Sequence, residues 1–200
     1  MNLIESIKYE NGKFAHLQLH EKRMNFSRKK LFSSGKNIDL LSALSRKMNS
    51  NIKSKQTYKC RVVYEDEIKK IEFIEYSRPL INSLKLVYNN EIDYSFKYED
   101  RSHLSSLFAQ RENCDDILIV KNNLISDTYF CNIVLFNGKQ WLTPEKPLLN
   151  GIQRQFLIHK KLIHTAKICP TDLKYFSKAR LINAMLDLET SPDFSIHNIK

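Results

Sequence analysis

Leu148-Leu149-Asn150-Gly151-Ile152-Gln153-Arg154-Gln155 is a loop that passes into a helix, and the architecture can be worked out from it. A helix that opens on glycine presents unpaired backbone amides and the positive end of its dipole, which together make a usable phosphate cradle. Many helices begin this way, so the weight of the stretch comes from what stands before it. Upstream, Trp141-Leu142-Thr143-Pro144 closes a hairpin whose turn is Asn137-Gly138. Further back, Asp127 sits inside the apolar run Leu124 to Phe130. A carboxylate there is either a turn former or a buried charge with a cationic partner.

Thirty residues ahead of that acid, Lys97 lies among aromatics in Tyr94-Ser95-Phe96-Lys97-Tyr98, just before a predicted helix. The ordinary reading is a surface lysine whose stem covers apolar neighbours. The alternative is a partly desolvated amine nucleophile. Arg23 and His20 lie one turn apart on a predicted helix, where the ordinary reading is a solvated face.

Around these residues the chain reads as α+β. A hairpin is predicted over Leu3 to Tyr9 and Lys13 to Leu17, turning at Asn11-Gly12. Helices follow over about Leu19 to Leu31, with a partial apolar stripe (Leu19 with Phe26, Met24 with Leu31), and over about Ile38 to Met48, capped near Asn37. Period-two alternation predicts strands over Thr57 to Tyr64, Ile68 to Tyr76 and Ser83 to Val87. The second half opens with a helix over Arg101 to Arg111. Strands follow over Ile117 to Lys121, Leu124 to Thr128, Asn132 to Phe136 and Gln140 to Thr143. A helix from Gly151-Ile152 to about Leu162, a short one near Asp172 and a strand over Ala179 to Met185 complete it. The expected domains are residues 1–88 and 92–200, joined by a short polar link.

Composition excludes several classes. The 200 residues carry 42% hydrophobic and 27% charged side chains with 4 Gly and 5 Pro, values of a folded globular chain. The longest aliphatic run, Ile117 to Val120, is far short of the ~20 residues of a membrane helix. No basic flank and apolar stretch marks a signal peptide, so the expected compartment is the cytoplasm. Cys60, Cys114, Cys131 and Cys169 are widely spaced and read as reduced thiols, with no metal site expected. The net charge of +10 is concentrated: residues 1–60 hold 13 Lys or Arg against 4 Asp or Glu, and the remainder 19 against 18. Such a half attracts nucleic acid or anionic small molecules, or merely solubilises. No helix-turn-helix, RNA-recognition aromatic pair or zinc finger supports nucleic acid.

Taken in order, the features resemble the class IV aminotransferases and 4-amino-4-deoxychorismate lyases. The resemblance runs from about Leu3 to Met185 and is densest over Tyr94 to Phe156. It is carried by Lys97-Tyr98-Glu99-Asp100-Arg101, Asp115 to Val120, Asp127 five residues ahead of Asn132-Ile133, the Thr143-Pro144 pair and Gly151-Ile152-Gln153-Arg154. Leu3-Ile4-Glu5-Ser6-Ile7 and His20-Glu21-Lys22-Arg23 are similar to the family's opening strand and phosphate-arginine helix.

The resemblance implies a two-domain fold of the pyridoxal phosphate (PLP) type IV class, like D-amino acid aminotransferase. A small α+β domain and a β-barrel-like domain would hold the cofactor between them. It implies that Lys97 holds PLP as a Schiff base and shuttles protons, and that Asp127 keeps the pyridine nitrogen protonated. Arg23 would clamp the phosphate with the amides of Ile152 and Gln153 and with Asn183. Asp127 stands where the family usually carries Glu. The expected activity is 4-amino-4-deoxychorismate lyase, forming 4-aminobenzoate and pyruvate for folate synthesis. The alternatives are a branched-chain or D-amino acid aminotransferase and, from another class, a basic nucleic-acid-binding protein. The expected partners are an anionic small-molecule substrate and a second copy of the chain, with neither membrane nor nucleic acid. Arg61, Tyr64 and Arg78 are candidates to grip a substrate carboxylate, although each also reads as an ordinary strand-surface residue.

Overall fold

The computed structural model describes residues 1–48, 52–53 and 56–200. They form two compact units: residues 1–77 with 96–100, and residues 78–95 with 101–200.

The first unit is built on an antiparallel sheet of order β2-β1-β3-β4. Strand β1 (Leu3–Glu10) turns through Asn11 and Gly12, both at positive φ, into the two-residue β2 (Lys13–Phe14). Such a turn matches the twist of the flanking strands. β2 is shorter than expected because helix α1 (Leu17–Phe32) begins at the end of the predicted strand. β1 pairs with β3 (Tyr58–Tyr64) in the register Leu3 to Tyr64 through Tyr9 to Tyr58. β3 pairs in turn with β4 (Ile68–Glu75). Helix α2 (Leu40–Ser45) is shorter than expected, and its cap is Asp39, whose carboxylate accepts from the Ser42 amide at 3.0 Å. Its side chains Leu40 and Leu44 join Leu3, Ile7, Met24, Cys60, Val62 and Tyr64 in one core.

The inward face of α1 corrects the predicted stripe. Phe26 is 55% exposed, while His20, Met24, Ser27 and Arg28 are buried. Arg28 tolerates burial because its guanidinium donates to the carbonyls of Asp66 and Lys36 and to the Asn25 amide oxygen.

The second unit holds an eight-stranded mixed sheet. Its path runs β10 (His164–Ala166), β9 (Trp141–Pro144), β8 (Asn132–Phe136), β7 (Leu124–Thr128), β6 (Asp116–Lys121) and β5 (Leu84–Tyr88). β11 (Lys178–Ile182) adds to β8 and carries β12 (Phe194–Ser195). Helix α3 (Ser102–Phe108) and helix α4 (Ile152–His159) complete the regular structure, with 3₁₀ turns at Ala109–Arg111, Pro170–Tyr175 and Ile196–Asn198. Ile117 through Val120 and Ile133 through Leu135 are buried without interruption, the pattern of strands covered on both faces.

The division differs from the expected one at two places. Residues 78–88 belong to the second unit, because β5 pairs in parallel with β6 from Leu84 with Asp116 to Tyr88 with Val120. Residues 96–100 return to the first unit, because the Ile4 amide donates to the Lys97 carbonyl and the Glu99 amide to the Asn2 carbonyl, both at 2.9 Å. Lys97 therefore sits on an extended segment beside β1, five residues ahead of α3 rather than at its start.

Candidate functional site

In the first unit the site grows from a violation of the strand pattern. Alternate residues of β1 share a face, so Glu5 falls in line with Leu3, Ile7 and Tyr9, all buried. Glu5 is 0% exposed. Its carboxylate takes Arg23 in a two-pronged grip, Nε to Oε1 at 2.8 Å and Nη2 to Oε2 at 2.6 Å. The Nδ1 of His20, itself 1% exposed, lies 2.6 Å from Oε2. Burial works to raise the Glu5 pKa, but the Arg23 charge and the hydrogen bonds of His20 and Arg23 outweigh it and hold the carboxyl at about 2. Burial lowers the His20 pKa, opposed by Glu5 and reinforced by the charges of Arg23 and Lys97. The carboxylate is thus ionised and can only accept, so a neutral His20 donates through Nδ1.

The lysine segment is fastened to the same sheet. Glu99 accepts from the Asn2 side chain at 2.7 Å and from Arg61 Nη2 at 2.6 Å. On its other side Phe96 stacks on Phe26 of α1, with ring centroids 6.4 Å apart. Lys97 is half-buried between these anchors.

In the second unit the centre is Asn132, paired with Asp127 across β7 and β8. Its side-chain nitrogen donates to Asp127 Oδ1 at 2.8 Å and to the Leu149 carbonyl at 2.9 Å. The Leu149 amide donates back to Asp127 Oδ2 at 2.9 Å. Asp127 is 6% exposed, and burial pushes its pKa up to about 6 against those bonds. A Cβ added to Gly151 would stand 2.2 Å from the Asn132 side-chain oxygen, so only glycine fits beside a pinned Asn132. Gly151 caps α4 without a side-chain hydrogen bond, leaving the first amides of the helix facing outward from their own turn. Arg154, buried, reaches back to the Pro144 carbonyl at 2.8 Å and the Asn150 side chain at 2.9 Å. Among the described residues its Nε, and Oε1 of the buried Gln153, have no hydrogen-bond partner. Asn183 donates to Cys131 Sγ at 3.2 Å and accepts from the Met185 amide.

The predicted residues thus fall into two groups. Arg23 and Lys97 lie in the first unit, with Glu5 and His20; Asp127, Ile152, Gln153 and Asn183 lie in the second, around Asn132 and Gly151. Of the three proposed carboxylate grips, Arg61 and Tyr64 lie in the first unit and Arg78 in the second. Arg61 is engaged by Glu99 and, at 3.3 Å, by Glu72. Tyr64 is 1% exposed in the core, where burial raises its hydroxyl pKa, which corrects its reading as a strand-surface residue. Arg78 donates to the Thr190 carbonyl at 2.6 Å. Sequence reasoning passed over Glu5 and Asn132 as chemical residues. A carboxylate in phase with Leu3 and Ile7 was the available signal for the first; the five-residue spacing from Asp127 was the signal for the second.

Among the described residues no His/Cys/Asp/Glu group is arranged to hold a metal, no helix is long and apolar enough to cross a membrane, and Cys60, Cys114, Cys131 and Cys169 are free thiols.

A family model described as amino-transferase class IV matches residues 99–188. An uncharacterised protein of Haemophilus influenzae is 34% identical over 183 residues, 92% of this chain and 97% of that one. A solved structure from Haemophilus somnus, provisionally described as a 4-amino-4-deoxychorismate lyase, is 31% identical with a TM-score of 0.88, over 94% of this chain and 97% of that one. The branched-chain amino acid aminotransferase of Escherichia coli is 14% identical with a TM-score of 0.71, over 93% of this chain and 74% of its own, a likeness of fold.

Proposed function

The chain belongs to the class IV aminotransferase family and has its two-domain α+β fold, and on that premise we propose that it is a PLP-dependent 4-amino-4-deoxychorismate lyase. The observation that carries the choice of lyase is the likeness, at 31% identity over nearly the whole of both chains, to the Haemophilus somnus protein provisionally given that activity.

The residues present suit the cofactor. Asp127 is a buried acid whose hydrogen bonds come from neutral amides, and its raised pKa marks a carboxylate that a cation such as a protonated ring nitrogen would stabilise. The bare start of α4 offers amides to a phosphate. When bound, PLP supplies an electron sink. In this reading Lys97 would hold the cofactor through its side-chain nitrogen and, when that nitrogen is free, would move a substrate proton. Asp127, one methylene short of the usual Glu and bonded to Asn132 and Leu149, would keep the ring nitrogen protonated. Arg23, the amides of Ile152 and Gln153, and Asn183 would each serve the phosphate. The basic residues of the first sixty attract anionic substrates.

Purified protein supplied with PLP is expected to absorb in the visible range, and Lys97→Ala is expected to lose that band. Incubation with 4-amino-4-deoxychorismate is expected to release 4-aminobenzoate and pyruvate. A visible band without 4-aminobenzoate, together with turnover of amino and keto acid pairs, would replace the lyase with an aminotransferase. A colourless protein binding nucleic acid in a salt-dependent way would overturn both.

A further inference from the structure

We propose that Glu5 and His20 are positioning residues that lock the Arg23 guanidinium in the orientation needed to receive a phosphate, an inference that rests on the assignment of Arg23 to the cofactor phosphate. The starting point is a position that packing alone would give to an apolar residue. Glu5 lies between Leu3 and Ile7 on the inward face of β1 and opposite Val62 of β3. A buried ion pair there is no better for stability than a well-packed aliphatic side chain. Its value must lie in what it orients.

The geometry supplies that role. Two parallel N–H···O contacts fix the plane of a guanidinium as well as its distance, and Arg23 makes both to Glu5 through Nε and Nη2. His20 stands one turn before Arg23 on α1, so its bond to the same carboxylate stops Glu5 from swinging with its partner. One carboxylate thereby joins two residues of the helix to the neighbouring strand. An arginine free to rotate would lose rotamer entropy on meeting its ligand. Here that ordering is complete when the chain folds, and pre-organisation of this kind raises affinity without a new contact. The trade is that Glu5 cancels part of the positive charge, so the arrangement favours geometry over raw attraction.

The test compares equilibrium binding of PLP with that of pyridoxal, which lacks the phosphate, to the full-length protein. Arg23→Met is expected to weaken PLP at least about tenfold and to leave pyridoxal unchanged. Glu5→Gln and His20→Leu are expected to weaken PLP by about the same factor, also sparing pyridoxal, and to add little once Arg23 is Met. His20→Asn, whose side-chain nitrogen occupies nearly the place of Nδ1, is expected to restore PLP affinity. If Glu5→Gln does not fold, Glu5→Asp keeps the charge but shortens the reach, and is expected to weaken PLP alone. PLP binding unchanged or tighter in the Glu5 and His20 variants, or PLP and pyridoxal weakened equally, overturns the positioning role. PLP binding unchanged in Arg23→Met overturns the assignment of Arg23 itself, a separate result.

Discussion

At the scale of single residues, Gly151 and Asn132 depend on one another. The glycine has φ −62°, a value any residue adopts, so its requirement is one of space rather than backbone conformation. The space is filled by an Asn132 oxygen that cannot retreat, because the nitrogen of the same amide is bonded to Asp127 and Leu149. Gly151→Ala should therefore break one of those bonds or shift the start of α4. The expected loss is about 1–3 kcal/mol in urea unfolding, the range for overpacking a filled site. Gly35→Ala, where an added Cβ meets none of the described residues within 4 Å, should change stability by no more than about 0.5 kcal/mol. Equal effects at the two glycines would contradict the argument.

Among the elements, the extended segment 96–100 matters most. It is tied to the first unit by two backbone bonds to β1, by the Glu99 bridge to Asn2 and Arg61, and by Phe96 against Phe26. The Arg61–Glu99 pair joins this segment to β3, so Arg61 is expected to serve the lysine's strand rather than the substrate. Arg61→Met should accelerate hydrogen exchange at the Ile4 and Glu99 amides about tenfold, with little change at amides between β1 and β3 away from it. Uniform acceleration across β1 would indicate general destabilisation instead. A rise in KM alone, with exchange unchanged, would return Arg61 to the substrate.

For the whole molecule, three buried acids pull stability in opposite directions with pH. Glu5 is held at about 2 against an ordinary 4.5, so its contribution is present above about pH 4.5 and is lost as pH falls toward 2. Asp116 and Asp127 are raised to about 6 from 3.8, in each case chiefly by burial. Their native forms hold protons more tightly than the unfolded chain, so their contributions are full below about pH 3.8 and fade as pH rises through 6. Each amounts to something on the order of 3 kcal/mol. Urea unfolding of the cofactor-free protein from pH 3 to 8 should show stability declining between pH 4 and 6. In Asp127→Asn that decline should shrink by roughly half, whatever the variant's absolute stability. An unaltered slope would mean that Asp127 is ionised at much lower pH than its burial implies.

Whatever depends on near neighbours is legible in the linear chain. Asn11-Gly12 and Asn137-Gly138 specify their turns, alternation specifies β3, β4 and β5, and the order Lys97, Asp127, Thr143-Pro144, Gly151 to Arg154 carries the family. These follow from backbone preference, side-chain period and spacing, all of which a linear chain displays. Where Glu5, Asn132 and Arg61 direct their charges and hydrogen bonds follows only from the folded chain, because each has partners far along the sequence. Glu5 meets Arg23 and His20 across a strand–helix interface, Asn132 holds a loop seventeen residues on, and Arg61 finds Glu99 only once the chain returns to β1. A buried charge is recognisable as such only when its cover is in place, and that cover comes from packing at long range.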